Sequence, residues 1–287
     1  MPSLFPQPGP RLPPYKTLLV KGNYHASAPI HLSLSHISES ALPDSQTIIF
    51  SPSQTTLTLA LQQYNDDWLS ENSGLGRVSN LTSRVKLFFP PSPAHLCLLL
   101  SMLRVPNASH GESGTWLNAK STLAIAPLLL ILHEPSMYFL SEDQAQQHSS
   151  GWTLSSYLSL IMHALSSLTC LSKTTSAGLG GIAFAVFDSQ LDQLKLPMVK
   201  RPVSNYRDIE EAWPGPRLEH VSLYAQNYFE WIVAADKDST LGSMRKRSMV
   251  LERNHQTTGP VQVWEWCEAC DPVQNANMRP TTQMIWQ

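Results

Sequence analysis

The residues best placed to do chemistry gather first near the N-terminus, over Gly22-Asn23-Tyr24-His25-Ala26-Ser27-Ala28-Pro29. An apolar run from Thr17 to Val20 predicts a strand, and Gly22 opens a loop. Ile30, Leu34, Ile37 and Ala41 then recur at the spacing of one buried helix face. Strand, glycine loop and helix are the layout of a phosphate-binding loop, G-x-x-x-x-G-K-[ST]. Aligned from Gly22, the frame fits and the chemistry does not. Ser27 stands at the second glycine, Ala28 at the lysine and Pro29 at the metal-binding hydroxyl. A β/γ-phosphate calls for the point charge of lysine, and Mg²⁺ for a hard oxygen. Alanine and proline supply neither. Any βα turn can open on a glycine, so the motif by itself carries little weight.

A second segment adds to it. Leu128 to Leu132, LLLIL, is the most apolar stretch of the chain and reads as a strand buried on both faces of a parallel sheet. It ends in His133-Glu134-Pro135. In a phosphate-loop fold the corresponding strand ends in an aspartate that holds the magnesium shell. Here His133 takes that place, and Glu134 follows one step late, on the other side of a pleated chain. A buried strand that ends in a turn explains these residues equally well. Two degraded sites in the right order point together to the shape of a nucleotide site without its function.

Other candidates are weighed the same way. Cys267 and Cys270 form half of a zinc site, and His220 and His255 lie upstream at no recognised spacing. Paired core or edge cysteines explain them, so no metal and no cofactor is expected. No G-x-S-x-G elbow is present. Two basic clusters, Lys200-Arg201 with Arg207 and Arg245-Lys246-Arg247, are candidate phosphate contacts, with a solvated surface as the ordinary alternative. Tyr206 and Trp213 beside the first cluster suit single-strand stacking. Trp264 and Trp266 share one strand face and are candidates for a partner interface, where aromatic anchors concentrate. A place in the domain's own core is the competing reading.

Composition sets the frame for these residues. A chain of 287 residues with 42% hydrophobic residues has the means for a sizeable core. Charged residues make up only 15%, against an ordinary ~25%, and the net charge of −2 argues against a strongly cationic nucleic-acid binder. Four cysteines give no disulfide framework, the start lacks the pattern of a signal peptide, and no run reaches the ~18 apolar residues of a membrane span. A soluble intracellular protein with no membrane partner is expected.

The chain in order predicts strands near 46–50, 85–89 and 182–187 and helices through Leu57–Trp68, Leu96–Leu103 and Trp152–Leu171. The stretches 220–224, 228–234, 249–252 and 261–266 read as an antiparallel meander at one sheet edge. Residues 1–15, with six prolines, are expected to form a disordered tail, 16–270 one domain, and 271–287 a flexible C-terminal tail. Strand-first βα repeats followed by a β-only stretch predict a three-layer α/β domain.

Three segments, VKLFFPPSPAHLCLLLSML (85–103), APLLLILHEPSMYFLSED (126–143) and NYFEWIVAADKD (227–238), resemble the RecA-like recombinase paralogues. The nearest likeness is to the small partner of the SWIM-domain protein in Shu-type recombination complexes. The resemblance spans roughly residues 16 to 266. It implies a RecA-like sheet of the P-loop NTPase type, a SWIM-domain-type protein partner, a recombinase filament, a nuclear location, and DNA contact by the loop after the fifth strand. Family members can carry an intact phosphate loop; Ser27, Ala28, Pro29 and His133 depart from it, which implies a degenerate pseudo-ATPase. The function implied is non-catalytic assistance in loading a recombinase on single-stranded DNA. The alternative from another class is a RecA-like structural subunit of an Elongator-type tRNA-modification subcomplex.

Overall fold

The computed structural model describes residues 1–105, 122–140, 151–173, 181–199, 217–236, 239–241, 244–254, 262–270 and 281–286. The first half holds β1 (Thr17–Gly22), α1 (Ala28–Glu39), β2 (Thr47–Phe50), α2 (Gln54–Tyr64), α3 (Asp67–Asn72), α4 (Gly76–Thr82), β3 (Val85–Phe88) and α5 (Pro93–Met102). It continues with β4 (Leu129–His133), α6 (Leu154–Lys173), β5 (Ala183–Asp188), β6 (Lys195–Pro197), β7 (Leu218–His220) and α7 (Ser222–Ala225). The last strands are β8 (Trp231–Ala235), β9 (Ser239–Leu241), β10 (Met244–Arg253), β11 (Gln262–Cys270) and β12 (Thr282–Trp286).

Alternation along the central strands builds two cores on one sheet. Leu19, Leu130, Leu132 and Val186 face one side, and Leu18, Val20, Leu129 and Ile131 the other. Strands apolar at every position suit only a sheet covered on both faces, which parallel crossovers provide. The sheet has ten strands in the order β12-β11-β10-β8-β1-β5-β4-β2-β3, with β9 joined to β10. From β8 to β3 the pairing is parallel, and β10, β11 and β12 add antiparallel. The protein is therefore α/β, with a mostly parallel mixed sheet and an antiparallel meander at one edge. Helices α5, α6 and α7 cover one face; α1 lies on the other.

Helix α6 is long and apolar enough, by length and composition, to cross a bilayer. Its buried residues, from Leu154 and Tyr157 to Leu168 and Leu171, form one stripe in the first core. That is the pattern of a core helix. Leu158 and Leu165 are half-buried at the margin of this stripe, and Tyr157 within it donates to Asp188 at 2.9 Å.

Several elements depart from expectation. The predicted Leu57–Trp68 helix is two helices, because Asn65 takes the left-handed region at φ 44° and Asp66 caps α3 through Leu69 N–H. Ala41 lies beyond the end of α1, and Ile30 is only half-buried. Instead of a strand over 220–224, β7 ends at His220 and α7 follows. The N-terminal residues, expected as a disordered tail, are packed: Leu4, Phe5 and Leu12 are buried in the second core. Three apolar side chains among the prolines give the segment something to bury, which counting prolines alone overlooks. The expected C-terminal tail contains β12, whose Trp286 pairs in register with Trp266.

Gly22 marks where the first strand must turn. Its φ is +82°, and a Cβ there would collide with the carbonyl oxygen of Ala235 on β8. Gly22→Ala should therefore lower stability by at least ~2 kcal/mol, the left-handed cost plus the clash. Urea unfolding checks this, and an unchanged midpoint would mean that β1 and β8 can part there without penalty.

Candidate functional site

Ligands in open α/β sheets settle outside the carboxyl ends of the strands. Here that edge is formed by Gly22 at the end of β1, Asp188 at the end of β5, His133 at the end of β4 and Ser51 just past β2. Both segments singled out from the sequence converge on it. Between Gly22 and α1, the loop turns its own side chains inward: Tyr24 and His25 are buried. The Tyr24 ring packs edge-on against Phe187 at 5.3 Å and against His133 at 6.4 Å. Its hydroxyl donates to Glu134 Oε1.

Glu134 occupies this place because its backbone is left-handed, at φ 51°, while its N–H donates to the carbonyl of Phe187 at 2.6 Å. The carboxylate also accepts from Ser189 N–H at 3.1 Å to each oxygen and from Ser189 Oγ at 2.9 Å. Burial pushes Glu134 above the ordinary carboxylate range, against the pull of the Tyr24 and Ser189 hydrogen bonds. Tyr24 is raised well above its usual value by burial and by Glu134, so its proton stays on as a donor. His133 accompanies it as a neutral imidazole: Nδ1 lies 3.1 Å from Ser51 Oγ, and burial lowers it to about 4.

Asp188, one residue past the strand expected at 182–187, is the last residue of β5 and fully buried. Ser136 donates to it from Oγ at 2.5 Å and from N–H at 3.1 Å, Tyr157 donates at 2.9 Å and Gln190 N–H at 3.2 Å. Burial, with Glu134 nearby, pushes Asp188 up to about 7. The signal was on the page, since an acid directly follows an unbroken apolar run.

A second polar group sits behind the loop. Ser27 Oγ donates to Asp66 Oδ2 at 2.5 Å in place of capping α1, and His31 Nε2 lies 3.0 Å from the same oxygen. His25 Nδ1 is 3.1 Å from Ser27 Oγ. Burial pushes Asp66 up, but His31 and Ser27 outweigh it and hold the carboxyl at about 2. Ala28 and Pro29 are buried in the first turn of α1. The serine is shut in at 0% exposure and its proton is directed to a carboxylate rather than to a histidine base. That is a structural arrangement, not a nucleophile's.

The remaining candidates separate. Arg247 is buried, pairs with Glu268 at 2.8 Å and donates to the Asn23 carbonyl at 2.8 Å, so it is not a surface contact for DNA. Alternation along β10 sends it inward while its neighbours point elsewhere. Lys246 pairs with Glu265 at 2.8 Å, and Arg245 is exposed. Lys200, Arg201 and Arg207, with Tyr206 and Trp213, lie outside the described residues, as does His255. Trp264 and Trp266 are not free for a partner. Trp266 is fully buried and Trp264 nearly so, under Phe5 and Trp286. Glu268, missed from the sequence, also accepts from Tyr64 at 3.0 Å and from Trp266 Nε1 at 3.3 Å. Among the described residues no group of three or more His, Cys, Asp and Glu is placed to hold a metal ion.

No family model and no curated protein matches this chain.

Asp188 gives this edge a pH signature. A carboxyl raised in the folded state binds its proton there at pH values where the unfolded chain has released it. Its contribution to stability is therefore present below pH ~4 and lost as pH rises towards 7. The difference in unfolding free energy between the parent and Asp188→Asn should shrink over that window. A pH-independent difference would show that Asp188 is ionised in the folded protein throughout.

Proposed function

We propose that this chain is a non-catalytic accessory protein of homologous recombination and DNA repair. It is a RecA-like subunit with a degenerate nucleotide site, acting in a Shu-like complex in the nucleus with a SWIM-domain-type partner. Its role is to assist loading of a recombinase filament on single-stranded DNA. The observation that carries the non-catalytic part is Tyr24, which is buried beside the end of β1 and hydrogen-bonds Glu134, the acid that follows β4. A phosphate entering there would meet a phenol ring and buried carboxylates, with Ala28 and Pro29 where charge and hydroxyl are needed. An anion gains nothing from such surroundings. The glycine loop, the strand with an acidic end and the antiparallel edge lie in one sheet, in the order that the resemblance implies, and this supports the RecA-like reading.

Contact with DNA then falls to a few cations. Arg247 is committed to Glu268 and Lys246 to Glu265, which leaves Arg245 and the cluster Lys200, Arg201 and Arg207. With a net charge of −2, single-strand affinity is weak and most of the phosphate contacts belong to the complex. Co-expressed with a SWIM-domain-type protein, the chain forms a stable complex that raises recombinase loading on single strands; a complex without effect on loading would leave the function elsewhere.

Two measurements test the parts. Purified chain with Mg·ATP should release no phosphate above a blank, and Ala28→Lys should not restore turnover, since Pro29 and His133 still deny the metal its ligands. Turnover that co-purifies with the chain would overturn the pseudo-ATPase. Replacing Lys200, Arg201 and Arg207 together should lower single-strand affinity of the complex and flatten its salt slope by up to ~2, at about 0.7 per phosphate contact. An unchanged slope would assign the contacts to Arg245 or to the partner.

A further inference from the structure

Residues 1–12 are built as a plug. The segment closes on itself: Leu12 N–H donates to the Pro2 carbonyl at 2.7 Å, Ser3 Oγ to the Pro10 carbonyl at 2.7 Å and Gly9 N–H to the Pro6 carbonyl at 2.7 Å. It thus has the form of a compact loop with neighbouring ends, held by its own groups. What it presents to the body is Phe5. The ring stacks on His25 at 5.0 Å and meets Trp286, Trp266 and Trp264 edge-on at 4.7, 5.1 and 6.0 Å. Leu4 and Leu12 are buried beside it, and Ser3 N–H donates to Ser35 Oγ on α1 at 3.0 Å. The aromatic face of the meander, which the sequence leaves open as a partner surface or a part of the core, is covered by residues 1–12.

The plug reaches β1 through Pro13-Pro14-Tyr15-Lys16. Tyr15 is held to His36 on α1 at 2.8 Å, and Lys16 to Glu230 and Phe184 at 3.2 and 2.8 Å, so the free part is Pro13-Pro14, which has no N–H to tie down and favours an extended, semi-rigid connection. A self-contained module on such a hinge makes the same contacts whether it docks on its own body or on another. We propose that the aromatic box of His25, Trp264, Trp266 and Trp286 also receives residues 1–12 of a second copy of this chain, giving a plug-exchanged dimer. The occupant is fixed by what already fills the box: every copy carries the one segment whose Phe5, Leu4 and Leu12 match it. The exchange is reciprocal, so the assembly closes with two-fold symmetry and does not propagate. Docking on the same chain has the advantage of effective concentration, in the millimolar range for a short linker, so exchange grows with protein concentration.

The test traps the exchanged form covalently. Chains with the four native cysteines replaced by serine carry either Ser3→Cys or Ser35→Cys, and the two are mixed and incubated at on the order of 0.1 mM before mild oxidation. A disulfide-linked heterodimer should accumulate over hours, and Phe5→Ala in the Ser3→Cys chain should reduce it at least tenfold. One chain carrying both cysteines should close on itself, which shows that plug and body fold and dock in this background. Internal closure without heterodimer in the mixture would overturn exchange. In the chain with native Ser3, Phe5→Ala should raise acrylamide quenching of the tryptophans, and unchanged quenching would overturn the docked plug itself.

Discussion

Four buried carboxyl groups are a heavy local cost in this structure, and the loops around them supply the donors that meet it. Asp66, Glu134, Asp188 and Glu268 all lie at 9% exposure or less. An isolated carboxylate in such surroundings is untenable without donors. Each therefore gathers them from distant parts of the chain. Asp66 takes Ser27 and His31, Glu134 takes Tyr24 and Ser189, Asp188 takes Ser136 and Tyr157, and Glu268 takes Arg247 and Tyr64. The loop between Gly22 and α1 is held at both ends by these demands, with Tyr24 drawn to one acid and Ser27 to another. Its closed form follows from the acids beneath it.

Much of the sheet was legible in the sequence because unbroken apolar runs of strand length have few other uses. Leu128–Leu132 and Ile182–Phe187 fall one residue from the observed β4 and β5, and Thr17–Val20 ends two residues short of β1. Of the expected meander, the segments at β8, β10 and β11 were legible as strands and the last two do pair antiparallel, but β8 also pairs in parallel with β1 and β12 came from the expected tail. What failed was local in another way. Asn65 and Asp66 break a helix that apolar spacing carries straight through, because one left-handed residue and one cap outweigh periodicity. The first twelve residues failed because proline content argues for an open chain while Leu4, Phe5 and Leu12 argue for burial, and only the fold shows that a face awaits them.

The candidate site was half legible. Gly22 and Glu134 were found from motif geometry, and their meeting through Tyr24 could not be, since no motif places a tyrosine there. Asp188 was within reach: a residue at the carboxyl end of a central strand stands where ligands and catalytic groups collect. The tryptophans show the opposite failure. Trp264 and Trp266 do share one face, as alternation requires, yet which side of the sheet is covered is set by residues some 260 positions away in the chain.

The two closed regions are not independent. His25 stacks on Phe5 of the plug at 5.0 Å and on Tyr64 at 5.7 Å, and through Nδ1 it meets Ser27 in the loop. Arg247, paired with Glu268 beneath the tryptophans, donates to the carbonyl of Asn23 in that same loop. Burial and the neighbouring His31 hold His25 well below its ordinary value, so it is a neutral, apolar-packed ring rather than a charge. Lifting the plug would remove one of the two stacking partners of that ring and bring water to it. The loss would be felt at Ser27 and Asn23, the residues that flank Tyr24. A contiguous chain of packed groups thus joins the aromatic face to the carboxyl edge of the sheet. The docked plug is therefore one of the groups that pack the first loop, through the ring of His25.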